Sequence, residues 1–192
     1  MIQKKMSARV IASGLLLSLS GAAFAQTAMD KMFAVKAAQG GMAEVMVSHL
    51  ALKKTHNMQV MNVARRMVKE HTAANKELMT IAENKHMALP KDTDARHEMM
   101  YAKLSSLSGT AFDKAYIAGQ EKDHAATVKL FEKEIALGKD GDLSSFASKN
   151  LPTIEDHTKM IFQVGTNLGV HAVPMPVLKA PMMPSSMSGR NM

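Results

Sequence analysis

A chain of 192 residues with a formal charge of +7, 46% hydrophobic and 21% charged, can build one domain with a core but is too short for a two-domain enzyme. Cysteine is absent, which removes disulfide scaffolds, thiolate metal sites, thiol catalysis and iron–sulfur clusters together. Aromatics make up only 4%, Trp is missing, and Ala, Met, Lys and Glu are plentiful, so the composition favours helices over a β-sandwich or barrel.

Lys4, Lys5 and Arg9 precede an uncharged stretch from Val10 to Ala22, and Ala23-Phe24-Ala25 then gives a small-x-small cleavage pattern. Residues 1–25 therefore read as a secretory signal peptide, with Gln26 as the mature N-terminus and a periplasmic destination. The apolar stretch is shorter than the roughly 20 residues of a spanning helix, so no transmembrane span is expected after cleavage. Without Lys4, Lys5 and Arg9 the 24 basic residues become 21 against 17 acidic ones, and the formal charge falls from +7 to +4. The remaining Lys and Arg are interspersed with Asp and Glu and few aromatics accompany them, which argues against a nucleic-acid partner.

Four stretches carry apolar residues at helical spacing: Ala28 to Lys54, Met58 to Lys85, Thr110 to Gly138 and Asp142 to Gly169. The pattern predicts an all-α four-helix bundle over residues 26–171. The link Met87 to Gly109 is longer than most bundle connections, and Asp94 to Leu107 within it predicts an extra short helix. Gly138-Lys139-Asp140-Gly141 reads as a turn. Pro152 must either open a new helix or sit inside a kinked one. From Ala172 the chain turns Pro- and Met-rich, and residues 172–192 are expected to be a disordered tail.

At about 100° per residue each helix separates into faces. Phe33, Ala37, Gly40, Glu44, Val47 and Ala51 form one stripe; Val60, Ala64, Met67, His71, Leu78 and Ala82 the next. The third is Asp113, Ile117, His124, Val128, Phe131 and Ile135, with Glu121 at its edge, and the fourth is Phe146, Asn150, His157, Ile161, Val164 and Leu168. Each apolar stripe thus carries an acid or an imidazole near its middle, so Glu44, His71, His124 and His157 are expected in one layer of the core. Buried polar groups need partners. One reading is a Glu–His hydrogen-bonded network that fixes helix register. The other is a metal site for Zn, Fe, Mn or Cu, with Glu44, His71, Glu121, His124 and His157 as candidate ligands.

Glu121-x-x-His124 has the spacing of ferritin-like metal ligands, and the constellation resembles ferritin-like bundles, in which two helices each give a Glu and two others each give Glu-x-x-His. Val68 and Ile154 stand three residues before His71 and His157, where that pattern has Glu, so a di-iron oxidase is disfavoured. Several further stretches carry a closer resemblance: Phe33-Ala34-Val35-Lys36-Ala37-Ala38, Ala43-Glu44-Val45, Arg66-Met67-Val68-Lys69-Glu70-His71, Phe112-Asp113-Lys114-Ala115-Tyr116-Ile117, His124, and Leu151-Pro152 with His157. These are similar to the exported bacterial domain-of-unknown-function family 4142, whose members are often labelled outer-membrane proteins. The resemblance implies a ferritin-like helical fold over about Asp30 to Leu168 and no settled activity. A chain of such helices does not form an outer-membrane barrel.

No nucleophile elbow, phosphate loop or dinucleotide fingerprint occurs, and Gly40-Gly41 lies inside a helix without the strand and Lys of a phosphate cradle. The 19 Met are the outlying number. Met61, Met67, Met79 and Met160 fit a core-filling role. Met42, Met46 and His49 share another face, which could pack under the short helix, bind a protein partner or a second copy, or hold a soft ion together with His97, Met99, Met100 and the tail methionines Met182, Met183 and Met187. The expected function is an exported, non-catalytic bundle that binds a transition metal or serves envelope stress protection; the alternative is a structural or interaction module with a metal-free Glu–His network.

Overall fold

The structure, a computed structural model, describes residues 27–178. It consists of α1 (Ala28–Lys54), α2 (Met58–Asn84), α3 (Ala95–Ser105), α4 (Gly109–Leu137) and α5 (Gly141–Leu168), with no strand among the described residues. Four of the five helix starts are written in side chains. Thr27 and Asp30 form a capping box, and Asn57, Asp94 and Asp140 each accept backbone N–H groups from the first turn that follows. Gly169, in the left-handed region at φ 65°, ends α5. The predicted signal peptide and the tail beyond residue 178 lie outside the described residues.

Contacts at the helix ends fix the topology. At one end, called lower here, Asp30 at the start of α1 accepts the N–H groups of Lys139 and Asp140 after α4, and Lys85 after α2 pairs with Asp140 and Asp142 at the start of α5. At the upper end Lys54, closing α1, donates to the carbonyls of Ser105 and Leu107 just before α4. Helices α1 and α5 therefore run up while α2 and α4 run down. Two hairpins, α1/α2 and α4/α5, pack side by side, with α1 against α4 and α2 against α5. The α2–α4 connection must climb the full length of the bundle, which explains its length, and α3 on that path packs against α1 and α4. Pro152 lies inside a continuous α5; the carbonyl its missing N–H leaves over belongs to exposed Ser148, where water can serve it.

The core divides into two apolar halves. The upper includes Val47, Val60, Met67, Phe112, Tyr116 and Ile161; the lower includes Leu78, Val128, Leu143 and Ile154 around the Phe33–Phe131–Phe146 aromatic trio. The predicted stripes hold except at Ile135, which is 39% exposed, and Met79, expected to fill the core, is 56% exposed. Leu78 takes the core direction beside Met79, and the turn 138–140 with the α1 terminus closes over Glu134 in place of Ile135. Past α5 the described residues, 169–178, form no helix but are held: Ala172 donates its N–H to Glu121, His171 stacks on Phe162, and Leu178 packs on the lower apolar half.

Candidate metal centre

Between the two apolar halves lies a polar layer. His71 and His124 sit at the middles of 27- and 29-residue helices, and His157 is within a turn of the middle of α5, so antiparallel packing brings them to one height. Their ring centroids are 5.4, 5.5 and 5.6 Å apart, and one ligand nitrogen from each falls within 4.8 Å of the others. His124 and His157 are each 1% exposed and His71 is half-buried.

The outer nitrogens of two rings are assigned by their partners. His157 donates from Nε2 to Glu70 Oε2 at 2.6 Å, and His124 donates from Nδ1 to the Gln120 carbonyl at 3.1 Å. Carboxylate and carbonyl oxygens only accept, so His157 Nδ1 and His124 Nε2 are left as bare lone pairs. Those two atoms and His71 Nε2 are fully buried and have no hydrogen-bond partner among the described residues. Holding the outer N–H through a carboxylate or carbonyl is how proteins orient metal-ligating imidazoles.

Electrostatics keep these rings neutral. Burial, reinforced by His157, pushes His71 down to about 3; burial holds His124 well below the usual imidazole range, and burial also lowers His157 despite Glu70. Burial, then the nearby Asp123 charge, pushes Glu44 up to about 8. Burial works against ionised Glu70, yet its bonds from His157 and Arg66 hold it below the ordinary carboxylate range.

Four of the five candidate ligands named from the sequence converge and one does not. Glu44 joins the layer, with Oε1 3.7 Å from His124 Nδ1 and Oε2 accepting from Gln120 Nε2 at 2.6 Å; it meets the outer side of His124 rather than the imidazole lone pairs. Glu121, fully buried, turns toward the end of α5, where it accepts from Ala172 N at 2.6 Å and lies 3.0 Å from His171 Nδ1. Gly165 makes room for it: a Cβ there would lie 2.3 Å from Glu121 Oε1. With Glu121 engaged there and Ile154 buried in apolar surroundings, the carboxylates of a ferritin-like di-iron site do not assemble. Three neutral imidazoles fit a single ion instead.

Glu70, which accepts from His157, is the residue of the layer that stripe reasoning misses. It lies one residue, and so about 100° of helix, from His71, and it serves the neighbouring helix; a carboxylate adjacent to a buried His was the available signal. Gln120, Asp123 and Arg96, which surround Glu44, were equally silent. The methionine face divides: Met42 and Met46 are half-buried, Met46 with Met100 against the upper apolar half, while His49 and Met99 are exposed. His97 is taken up by α3 itself, with Nδ1 2.9 Å from Asp94 Oδ1. Met182, Met183 and Met187 lie outside the described residues.

Fold and site thus define a crossover four-helix bundle whose core is interrupted by a three-imidazole layer. The chain belongs to the family described as a domain of unknown function, DUF4142, which matches residues 18–164. No curated protein matches it. Among solved structures it is similar to a DUF305 protein from Streptomyces coelicolor, described as secreted, at 13% identity and a TM-score of 0.65, covering 76% of this chain and 97% of that one. A DUF305 fragment from Deinococcus radiodurans is similar at 12% identity and a TM-score of 0.65, covering 75% and 97%. At such identities the likeness is one of fold. No helix among the described residues is long and apolar enough to cross a membrane.

Proposed function

We propose that the protein is an exported, non-catalytic bundle that holds one transition-metal ion between His71, His124 and His157. The observation that carries this reading is the trio of buried imidazole nitrogens without partners among the described residues, two of them lone pairs by virtue of what their rings donate to. Neutral imidazoles suit zinc, copper or iron, and manganese less well. Glu44 belongs to the surroundings of the ion and Glu70 to the support of His157. Export is supported by the leader pattern of residues 1–25, by the absence of cysteine and by the secreted description of the Streptomyces relative in fold. Metal analysis of untagged protein tests the proposal. A stoichiometric ion that disappears in His71→Ala/His124→Ala supports it; protein that takes up no zinc, copper or iron refutes it.

A second reading, an interaction module whose polar layer sets helix register, is favoured by the bonds His157–Glu70 and Glu44–Gln120, which need no ion. It predicts thermal stability indifferent to every one of these metals.

A further inference from the structure

A cavity of about 480 Å³ opens beside the imidazole layer and extends to the lower aromatic cluster. His71 and His157 stand in its wall at one end, and Leu78, Phe131, Phe146 and Ile154 line the other. A volume of a few hundred cubic ångströms, an apolar lining and a few convergent polar groups are the attributes of a small-molecule site.

The charges around this space fall into two sets. Its acids are committed: Glu70 to His157 and Arg66, Asp123 to Arg96, Asp94 to the start of α3 and His97, and Glu44 to Gln120. Lys36, Lys129 and Lys133 are also in the wall, exposed, and enter no ion pair among the described residues. The uncommitted charge is therefore positive, which draws anions toward the opening. A divalent ion held by three neutral imidazoles would keep its full charge at a buried position, and an uncompensated buried charge is costly. With the neighbouring carboxylates engaged, the compensating ligand has to come from outside.

Resting on the ion reading above, we propose that the cavity binds a small monocarboxylate with an apolar body: its carboxylate completes the coordination of the ion and its body lies against Leu78, Phe131 and Phe146. The lysines raise its local concentration, and the apolar floor selects it over acetate.

Gly40 supplies a plug for the test. It lines the cavity, and a Cβ added there meets nothing within 4 Å, so Gly40→Leu adds bulk at the cavity wall from an unobstructed Cβ. The mature chain is loaded with Co(II), and its visible absorption is followed while 3-phenylpropionate, acetate or 3-phenylpropanamide is added. The expected result is a spectral change with 3-phenylpropionate at an affinity at least about tenfold above acetate, and none with the amide. Gly40→Leu should keep its helicity and its cobalt while binding 3-phenylpropionate about tenfold more weakly, and Lys129→Gln/Lys133→Gln should weaken it several-fold and flatten its salt dependence. Stoichiometric cobalt whose spectrum is unmoved by 3-phenylpropionate, or moved equally by acetate, overturns this inference and leaves the ion site standing. A wild-type chain that takes up no cobalt overturns this inference, and one that takes up no zinc, copper or iron either overturns both.

Discussion

Replacing His124 by Leu should stabilise the metal-free protein and abolish its response to zinc. The wild-type layer buries His124 Nε2 without a partner among the described residues, which costs about 1–3 kcal/mol. The substitution also removes the Nδ1–H bond to the Gln120 carbonyl, worth about 0.5–1.5 kcal/mol, while that carbonyl remains inside α4. The net gain is about 1 kcal/mol, or roughly 2–4 °C in Tm for a domain of this size. With zinc at about 100 times its Kd the wild type gains about 2.7 kcal/mol, and the variant, with one ligand gone, gains little. The two proteins therefore exchange rank: the variant melts higher in chelator and the wild type melts higher in zinc. Denaturant and thermal unfolding of untagged protein under both conditions measure this directly. A variant destabilised by more than about 1 kcal/mol in chelator, beside a wild type that ignores zinc, would refute the reasoning and make the layer a structural network.

Glu70→Ala should weaken zinc binding about 10–100-fold in a chelator competition, with Glu70→Gln losing less, because His157 Nε2 at 2.6 Å then loses the group that turns its Nδ1 inward. Burial, then the charges of Asp30 and Asp140, pushes Glu134 up to about 7. Its proton is thus held more tightly folded than unfolded: the contribution is complete below the ordinary carboxylate pKa of 4.5 and is lost as pH rises through about 7. Denaturation at a series of pH values should show a fall of about 1–2 kcal/mol across that window after allowance for screening, and Glu134→Gln should remove it. Gly165→Ala should destabilise by about 1–3 kcal/mol, because its Cβ would lie 2.3 Å from Glu121 Oε1 and 2.7 Å from the Val170 carbonyl. Gly40→Ala, with open space around its Cβ, should stabilise by about 0.5–1 kcal/mol in the same unfolding assay.

The architecture and the meeting of three imidazoles were legible because helical periodicity is a strong signal over 27 to 29 residues and an imidazole in an apolar stripe has few places to go. The same logic failed for Glu121. Its spacing from His124 was read as shared ligation, yet the absent side chain at Gly165 and the backbone N–H of Ala172 draw it to the end of α5. Those are long-range facts that no single helix records. Glu70 was invisible for the opposite reason: it faces away from its own stripe and belongs to the chemistry of α5. Glu134 and Ile135 exchanged burial because a helix meets loops at its last turn, and a projection built for neighbouring helices does not describe that environment.

The division of the three imidazoles between the hairpins has a mechanical corollary. Each hairpin packs more extensively within itself than against its neighbour; His71 belongs to the first, and His124 and His157 to the second. An ion shared by the three would rivet the seam between two preassembled halves, so its removal should loosen α1/α2 against α4/α5 while each pair stays zipped. Amide exchange would then accelerate along that seam and not at the helix tips, giving metal occupancy a readout written in backbone protection.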